Sequence, residues 1–152
     1  MVLTASEDAS RRGFLKRSAF VLAASAVCRR AWGSSTRAAN ETLGVGVIGI
    51  AGQGLWNVEQ LLGAGAAVVA LCDVDERRAG EARTLCPNAR FFVDFREMLD
   101  KAGREIDAVL VATPDHTHAV ATLAALQAGK HVYCEKPLTH SVEEARRVME
   151  AA

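Results

Sequence analysis

An α/β fold built on a doubly wound parallel sheet follows from three features of the residues after Leu43. Short apolar runs alternate with stretches of helical periodicity. The runs are continuous rather than alternating, as strands covered on both faces require. Each strand–helix unit is long enough to cross over and return parallel, and such crossovers are right-handed.

The elements follow in order. Leu43–Ile50 is a β-favouring stretch interrupted by glycines, and reads as the first strand. Leu55, Val58, Leu61 and Leu62 then recur at helical spacing until Gly63-Ala64-Gly65 stops them. Ala67–Cys72 is a second apolar strand, and Asp75–Leu85 a charged surface helix ended before Pro87. Arg90–Val93 is a short third strand. Asp94 and Glu97 have capping-box spacing at the start of the next helix. Ile106–Ala112 is the fourth strand, Asp115–Ala128 a helix closed by Gly129, and His131–Cys134 the fifth strand. Ser141 and Glu144 form a second capping box, opening a helix that reaches Ala152.

The 152 residues suffice for one domain, and the formal net charge is zero. With no basic excess to neutralise phosphates, composition weighs against a nucleic-acid partner. Cys28, Cys72, Cys86 and Cys134 include no C-x-x-C pair, so metal-site spacing is missing; Cys72 and Cys134 read as small buried hydrophobes. His116 and His118 form an H-x-H pair, but residues two apart at a helix start do not face one another, and no metal is expected. His131 and His140 read as surface and loop residues.

Residues 1–33 have the anatomy of an export signal: Ser10-Arg11-Arg12-Gly13-Phe14-Leu15-Lys16, an apolar run Ala19–Cys28, then Arg29-Arg30. The apolar run is about half of the ~20 residues that span a bilayer, so no permanent membrane span is expected. The Arg-Arg pair followed by Phe and Leu resembles the twin-arginine consensus. That implies the twin-arginine export machinery as a partner and a bacterial periplasmic location. Residues 34–42 read as a linker and residues 43–152 as the folded domain.

Gly49-Ile50-Ala51-Gly52-Gln53-Gly54 lies where the first strand meets the first helix. A dinucleotide fold needs a tight turn there, close approach of backbone to pyrophosphate, and close helix–strand packing. Gly49 and Gly54 take the first and third positions of G-x-G-x-x-G. Ala51 stands at the second with Gly52 beside it, so a G-x-x-G-x-G geometry is the alternative. Backbone N–H groups at the helix start still point at an anion. Asp73 ends the second strand about 20 residues on, where a carboxylate accepts hydrogen bonds from ribose hydroxyls and repels a 2′-phosphate. This favours NAD; Arg77 and Arg78 soften the preference and keep NADP within reach. Asp75 has the simpler role of a cap.

Three further segments carry a family resemblance: Ala112-Thr113-Pro114-Asp115-His116-Thr117-His118, Gly129-Lys130-His131-Val132 running on to Glu135-Lys136-Pro137, and Asp94-Phe95-Arg96-Glu97. From Leu43 to the end the chain resembles the glucose-fructose oxidoreductase, inositol dehydrogenase and MocA (Gfo/Idh/MocA) family. The resemblance implies Lys136 as the catalytic residue at the nicotinamide, helping proton transfer, with Pro137 carrying a cis bond that fixes it. It implies cofactor contacts from Gly49, Ala51, Gly52, Gln53, Gly54, Asp73, Thr113, Pro114, Asp115, His118, Glu135, Lys136 and Pro137. Asp115 stands where many relatives have Asn, which adds charge near the cofactor.

The function implied is NAD(P) binding within an exported oxidoreductase acting on a sugar or cyclitol CH–OH group. The rival readings are an NAD-dependent glycoside hydrolase of the same family and an inactive nucleotide-binding remnant. The family's larger C-terminal substrate domain, and the last strand of the nucleotide domain, are expected to be absent from this chain. Alone it is expected to bind dinucleotide weakly, to turn over no substrate, and to be prone to aggregation through an uncovered sheet face. Homo-oligomerisation of a complete protein is left open.

Overall fold

The computed structural model describes residues 42–152; the stretches read as an export signal and most of a linker lie outside the described residues. Strand β1 (Gly44–Ile48) leads to helix α1 (Gln53–Gly63) and β2 (Ala67–Cys72). A 3-10 turn (Glu76–Arg78), α2 (Gly80–Leu85), β3 (Arg90–Phe92) and α3 (Phe95–Ala102) follow. Then come β4 (Ala108–Val111), α4 (Asp115–Gln127), β5 (His131–Cys134) and α5 (Val142–Ala151). The strands form one parallel sheet in the order β3-β2-β1-β4-β5. This is the doubly wound α/β fold that the alternation of runs requires.

Every residue of β1 is buried, because helices cover both of its faces. Val45, Val47, Leu71 and Leu110 point to the side of Val58, Ala79 and Ala82. Ile48, Cys72, Val109 and Val111 point to the side of Met98, Ala121 and Ala125. The period-two alternation of strand side chains thus splits the core in two. Gly46 faces the second half, where a Cβ would lie 3.0 Å from Ile106 Cδ1.

Three local expectations give way to other pairings. The single helix over Asp75–Leu85 is broken. Asp75 accepts from the Arg77 backbone N–H (3.1 Å) and from its guanidinium (2.8 and 2.9 Å), closing a tight turn, and Gly80, a poor helix former, restarts the chain. The Asp94–Glu97 box does not form. Asp94 caps α3 by accepting from Arg96 N–H (2.8 Å), while Glu97 pairs with Lys101 one turn on. The fourth strand is shorter than Ile106–Ala112. Ile106 turns into the core before the strand starts, and the Asp107 carboxylate accepts from Gly44 N–H (2.8 Å). The Ser141–Glu144 box is formed in both directions, at 3.2 and 3.0 Å.

Helix α1 sits unusually close to β1. A Cβ on Gly54 would lie 1.9 Å from the Gly49 carbonyl oxygen, which is backbone and cannot swing aside. Gly54→Ala is therefore expected to cost about 3 kcal/mol, the upper end of core overpacking, as read by urea denaturation. Gly63→Ala, with open space around it at the end of the same helix, is expected to be neutral or slightly stabilising.

Cys72, 2 % exposed, has its thiol pushed up to about 12 by burial, with Asp73 and Asp94 adding to the effect. The unfolded thiol ionises near its ordinary value of 9.0, so between pH 9 and 12 the unfolded state alone loses the proton. Stability from this group is complete below pH 9 and falls above it by about 1.4 kcal/mol per pH unit. Denaturation midpoints compared between the parent and Cys72→Ala over that range are expected to show the shallower slope in the variant.

Candidate functional site

Strand order reverses between β1 and β4, and open α/β sheets bind ligands at the carboxyl ends of the strands at such a point. Here the loop after β1 presses on the loop after β4. Gly49 has φ +83°, and a Cβ on it would lie 2.6 Å from the Ala112 carbonyl oxygen and 2.8 Å from Thr113 N. Gly49 N–H donates to Cys72 O and Ala112 N–H to Ile48 O, both at 2.8 Å, tying both loops to the sheet. Gly52, just before α1, has φ +58° with open space beside it. Gly49 and Gly54 allow close packing, and both Gly49 and Gly52 supply a positive φ. Ala51, half-buried, occupies the second motif position without disturbing this arrangement, because the next residue turns the chain.

No side chain caps the N-terminus of α1; Gly54 N–H donates to Ala51 O (3.2 Å) in the turn itself, and the helix start lies at this end of the sheet. Asp73 stands beside this turn. Its carboxylate accepts from Ile50 N–H (3.1 Å) and Asp75 N–H (3.0 Å), bracing the glycine loop from the end of β2. A carboxylate offers about four lone-pair positions, so two remain for ribose hydroxyls. Ala51, Gly52, Leu55, Arg77, Arg78 and Glu81 are among the residues around an adjoining cavity of about 290 Å³. Arg77 is engaged with Asp75, whose carboxyl it holds below the usual range mainly through the side-chain hydrogen bond. Beside the Gly49 turn, Thr113 Oγ1 is buried without a partner. The uncapped helix start, the Asp73 carboxylate and the orphaned hydroxyl together fit a dinucleotide.

The Glu135-Lys136-Pro137 segment follows β5 at the same end of the sheet. Glu135 N–H donates to Val111 O (2.9 Å), and the Lys136–Pro137 peptide is cis. Lys136 is exposed at the rim. Glu135 turns toward α1, accepting from Asn57 Nδ2 at 2.8 Å and from Gln53 Nε2 at 3.4 Å. His118 is 1 % exposed, with Nδ1 2.6 Å from Pro137 O and Nε2 2.7 Å from Thr113 O. Each ring nitrogen lies within hydrogen-bond distance of a backbone carbonyl, so the buried ring sits between the loops after β4 and β5 as a brace. Pro114 and Asp115 lie exposed at the start of α4. His116, His131 and His140 are exposed and join no cluster; among the described residues no group of three His, Cys, Asp or Glu could hold a metal.

Asn57 is the residue that sequence reasoning missed. It is 5 % exposed on α1, and its bond partner is 78 residues away. The one signal was its place three residues after Gly54 and beside Val58, on the inward face of the helix, where a polar side chain needs a partner.

Known proteins resemble this chain in sequence and fold. Residues 43–152 match the family model described as an oxidoreductase family with an NAD-binding Rossmann fold. Inositol 2-dehydrogenase 2 of Saccharopolyspora erythraea is 43% identical over 112 residues, covering 72% of this chain and 32% of that protein. Inositol 2-dehydrogenase of Rubrobacter xylanophilus is 39% identical over 117 residues. Among solved structures, myo-inositol dehydrogenase from Lactobacillus casei in complex with NAD(H) and myo-inositol superposes with a TM-score of 0.67. It is 32% identical, over 73% of this chain and 33% of that one. The chain thus spans about a third of the length of the relatives it matches. It belongs to the Gfo/Idh/MocA oxidoreductase family, and residues 43–152 are an NAD-binding Rossmann domain of that family.

Proposed function

We propose that this domain holds NAD for the oxidation of a cyclitol or sugar CH–OH group, with Lys136 as the proton-handling residue, in a protein exported by the twin-arginine route. The observation that carries the reading is convergence. The glycine turn, Asp73, the orphaned Thr113 hydroxyl and Lys136 meet at one end of one sheet although they span residues 49 to 136. Resemblance to inositol 2-dehydrogenases points to a cyclitol as the substrate class.

Gly52 and the uncapped start of α1 would receive the pyrophosphate, and Asp73 the adenosine ribose. Thr113, Pro114 and Asp115 would line the opposite wall. Bound NAD supplies the hydride acceptor. Lys136 Nζ would donate a hydrogen bond to the substrate oxygen in its ammonium form, and take up the hydroxyl proton in its neutral form. The Arg11-Arg12 pair supports export; a cofactor loaded before export and kept bound would suit a compartment with little free NAD.

Calorimetry on this chain is expected to show NAD+ binding at least tenfold tighter than NADP+, with Asp73→Ser narrowing that ratio; equal affinities would remove Asp73 from the ribose site. In the full-length protein, Lys136→Met is expected to lower NADH production from myo-inositol by about 10²-fold or more, the usual worth of a positioned acid or base. Its NAD+ affinity should stay within threefold, and an unchanged rate would take the catalytic role from Lys136. A reporter fused to residues 1–42 should reach the periplasm, and Arg11→Lys with Arg12→Lys should retain it in the cytoplasm. Export of the double variant at the parent level would rule out the twin-arginine route.

A further inference from the structure

Lys136 lies between two residues that are each held by a buried polar side chain from a different helix. On one side the Glu135 carboxylate accepts from Asn57 Nδ2 of α1 at 2.8 Å; on the other the Pro137 carbonyl lies 2.6 Å from His118 Nδ1 of α4. Asn57 is 5 % exposed and His118 1 % exposed, so water competes little for either bond. Asn57 also accepts from Gln53 Nε2 at 3.3 Å, one helical turn earlier, and Gln53 reaches Glu135 at 3.4 Å. Gln53 is the first residue of the helix whose start forms the glycine turn.

We propose that Asn57 is a positioning residue: by holding Glu135 it fixes the Lys136 segment against the glycine turn, so that cofactor binding and the placement of Lys136 are coupled through this bond. Asn57 approaches no reacting atom and acts only through Glu135. An aspartate at 57 would set two carboxylates against each other in a site with little water, and push the segment away. Exchanging the pair, with the carboxylate on α1 and the amide on the loop, restores a charge-assisted hydrogen bond with donor and acceptor reversed. The inference rests on the cofactor reading above for its consequence, but not for its geometry.

The test uses the 152-residue chain, with NAD+ titrated by calorimetry and amide hydrogen exchange followed at Glu135 and, as an internal control, Val47. Asn57→Asp is expected to weaken NAD+ at least tenfold and to speed exchange at Glu135 about tenfold, with Val47 unchanged. Asn57→Asp combined with Glu135→Gln is expected to bring both readouts within threefold of the parent. The proposal is overturned if Asn57→Asp leaves exchange at Glu135 within twofold of the parent. It is equally overturned if the exchanged pair restores neither readout while Glu135→Gln alone is tolerated. Should Asn57→Asp fail to fold, Asn57→Ala decides on the same exchange criterion. A parent chain that binds no NAD+ would refute the cofactor reading, and the exchange arm would still decide the role of Asn57.

Discussion

The contact on which the rest of the molecule depends is the stacking of three backbones at the carboxyl end of β1. Gly49 lies against the Ala112–Thr113 peptide, and Gly54 lies against the Gly49 carbonyl. Without side chains at these two points, α1 settles on the sheet at a distance that no other residue permits. That approach brings the uncapped helix start to the mouth of the crevice. It also carries Asn57, one residue before the core side chain Val58, within reach of the loop after β5.

Around this contact the loops are fixed by side chains as well as by backbone bonds that continue the strand ladder. Asp73 holds the glycine loop, His118 bridges the loops after β4 and β5, and Asn57 and Gln53 hold Glu135. At the opposite end Lys130 donates to Gly103 O at 2.6 Å, and Asp107 accepts from Gly44 N–H. Bonds to charged groups contribute roughly 1.5–3 kcal/mol each, and losing one partner leaves the other stranded. The site is thus rigid for the same reason that it is vulnerable to single polar substitutions.

What could be read from the sequence was what has a period or a local partner. The apolar runs located β1, β2 and β4 because burial on both faces makes them apolar throughout, while the edge strands β3 and β5 are partly exposed. The Ser141–Glu144 cap was legible because both partners lie within one turn. The Asp94–Glu97 spacing looked the same, yet Glu97 is also four residues from Lys101, and spacing alone does not rank two local partners. Asp73 was placed at the right turn by its distance from the glycines, but its bonds to Ile50 and Asp75 could not be seen, since they depend on how the loops fold back. Glu135 was read as facing the cofactor side. Its engagement with Asn57 has no local signature at all, because 78 residues and most of the sheet lie between them.

The reversal of strand order between β1 and β4 has a consequence for how the crevice comes into being. β1 meets β2 across a single helix, but its partner on the other side, β4, is 63 residues away in register, Val45 against Ala108. Closing the longer loop costs more chain entropy, and its strand contacts repay that cost only after closure. The segment carrying the glycine turn and Asp73 can therefore organise first, as an open half with one wall. The wall formed by Thr113 and the Glu135–Pro137 loop exists only once β4 and β5 have docked. A dinucleotide that spanned both walls would recognise the closed sheet and not its precursor, and by mass action would favour the completed topology. In such an architecture the cofactor would also act as a folding ligand.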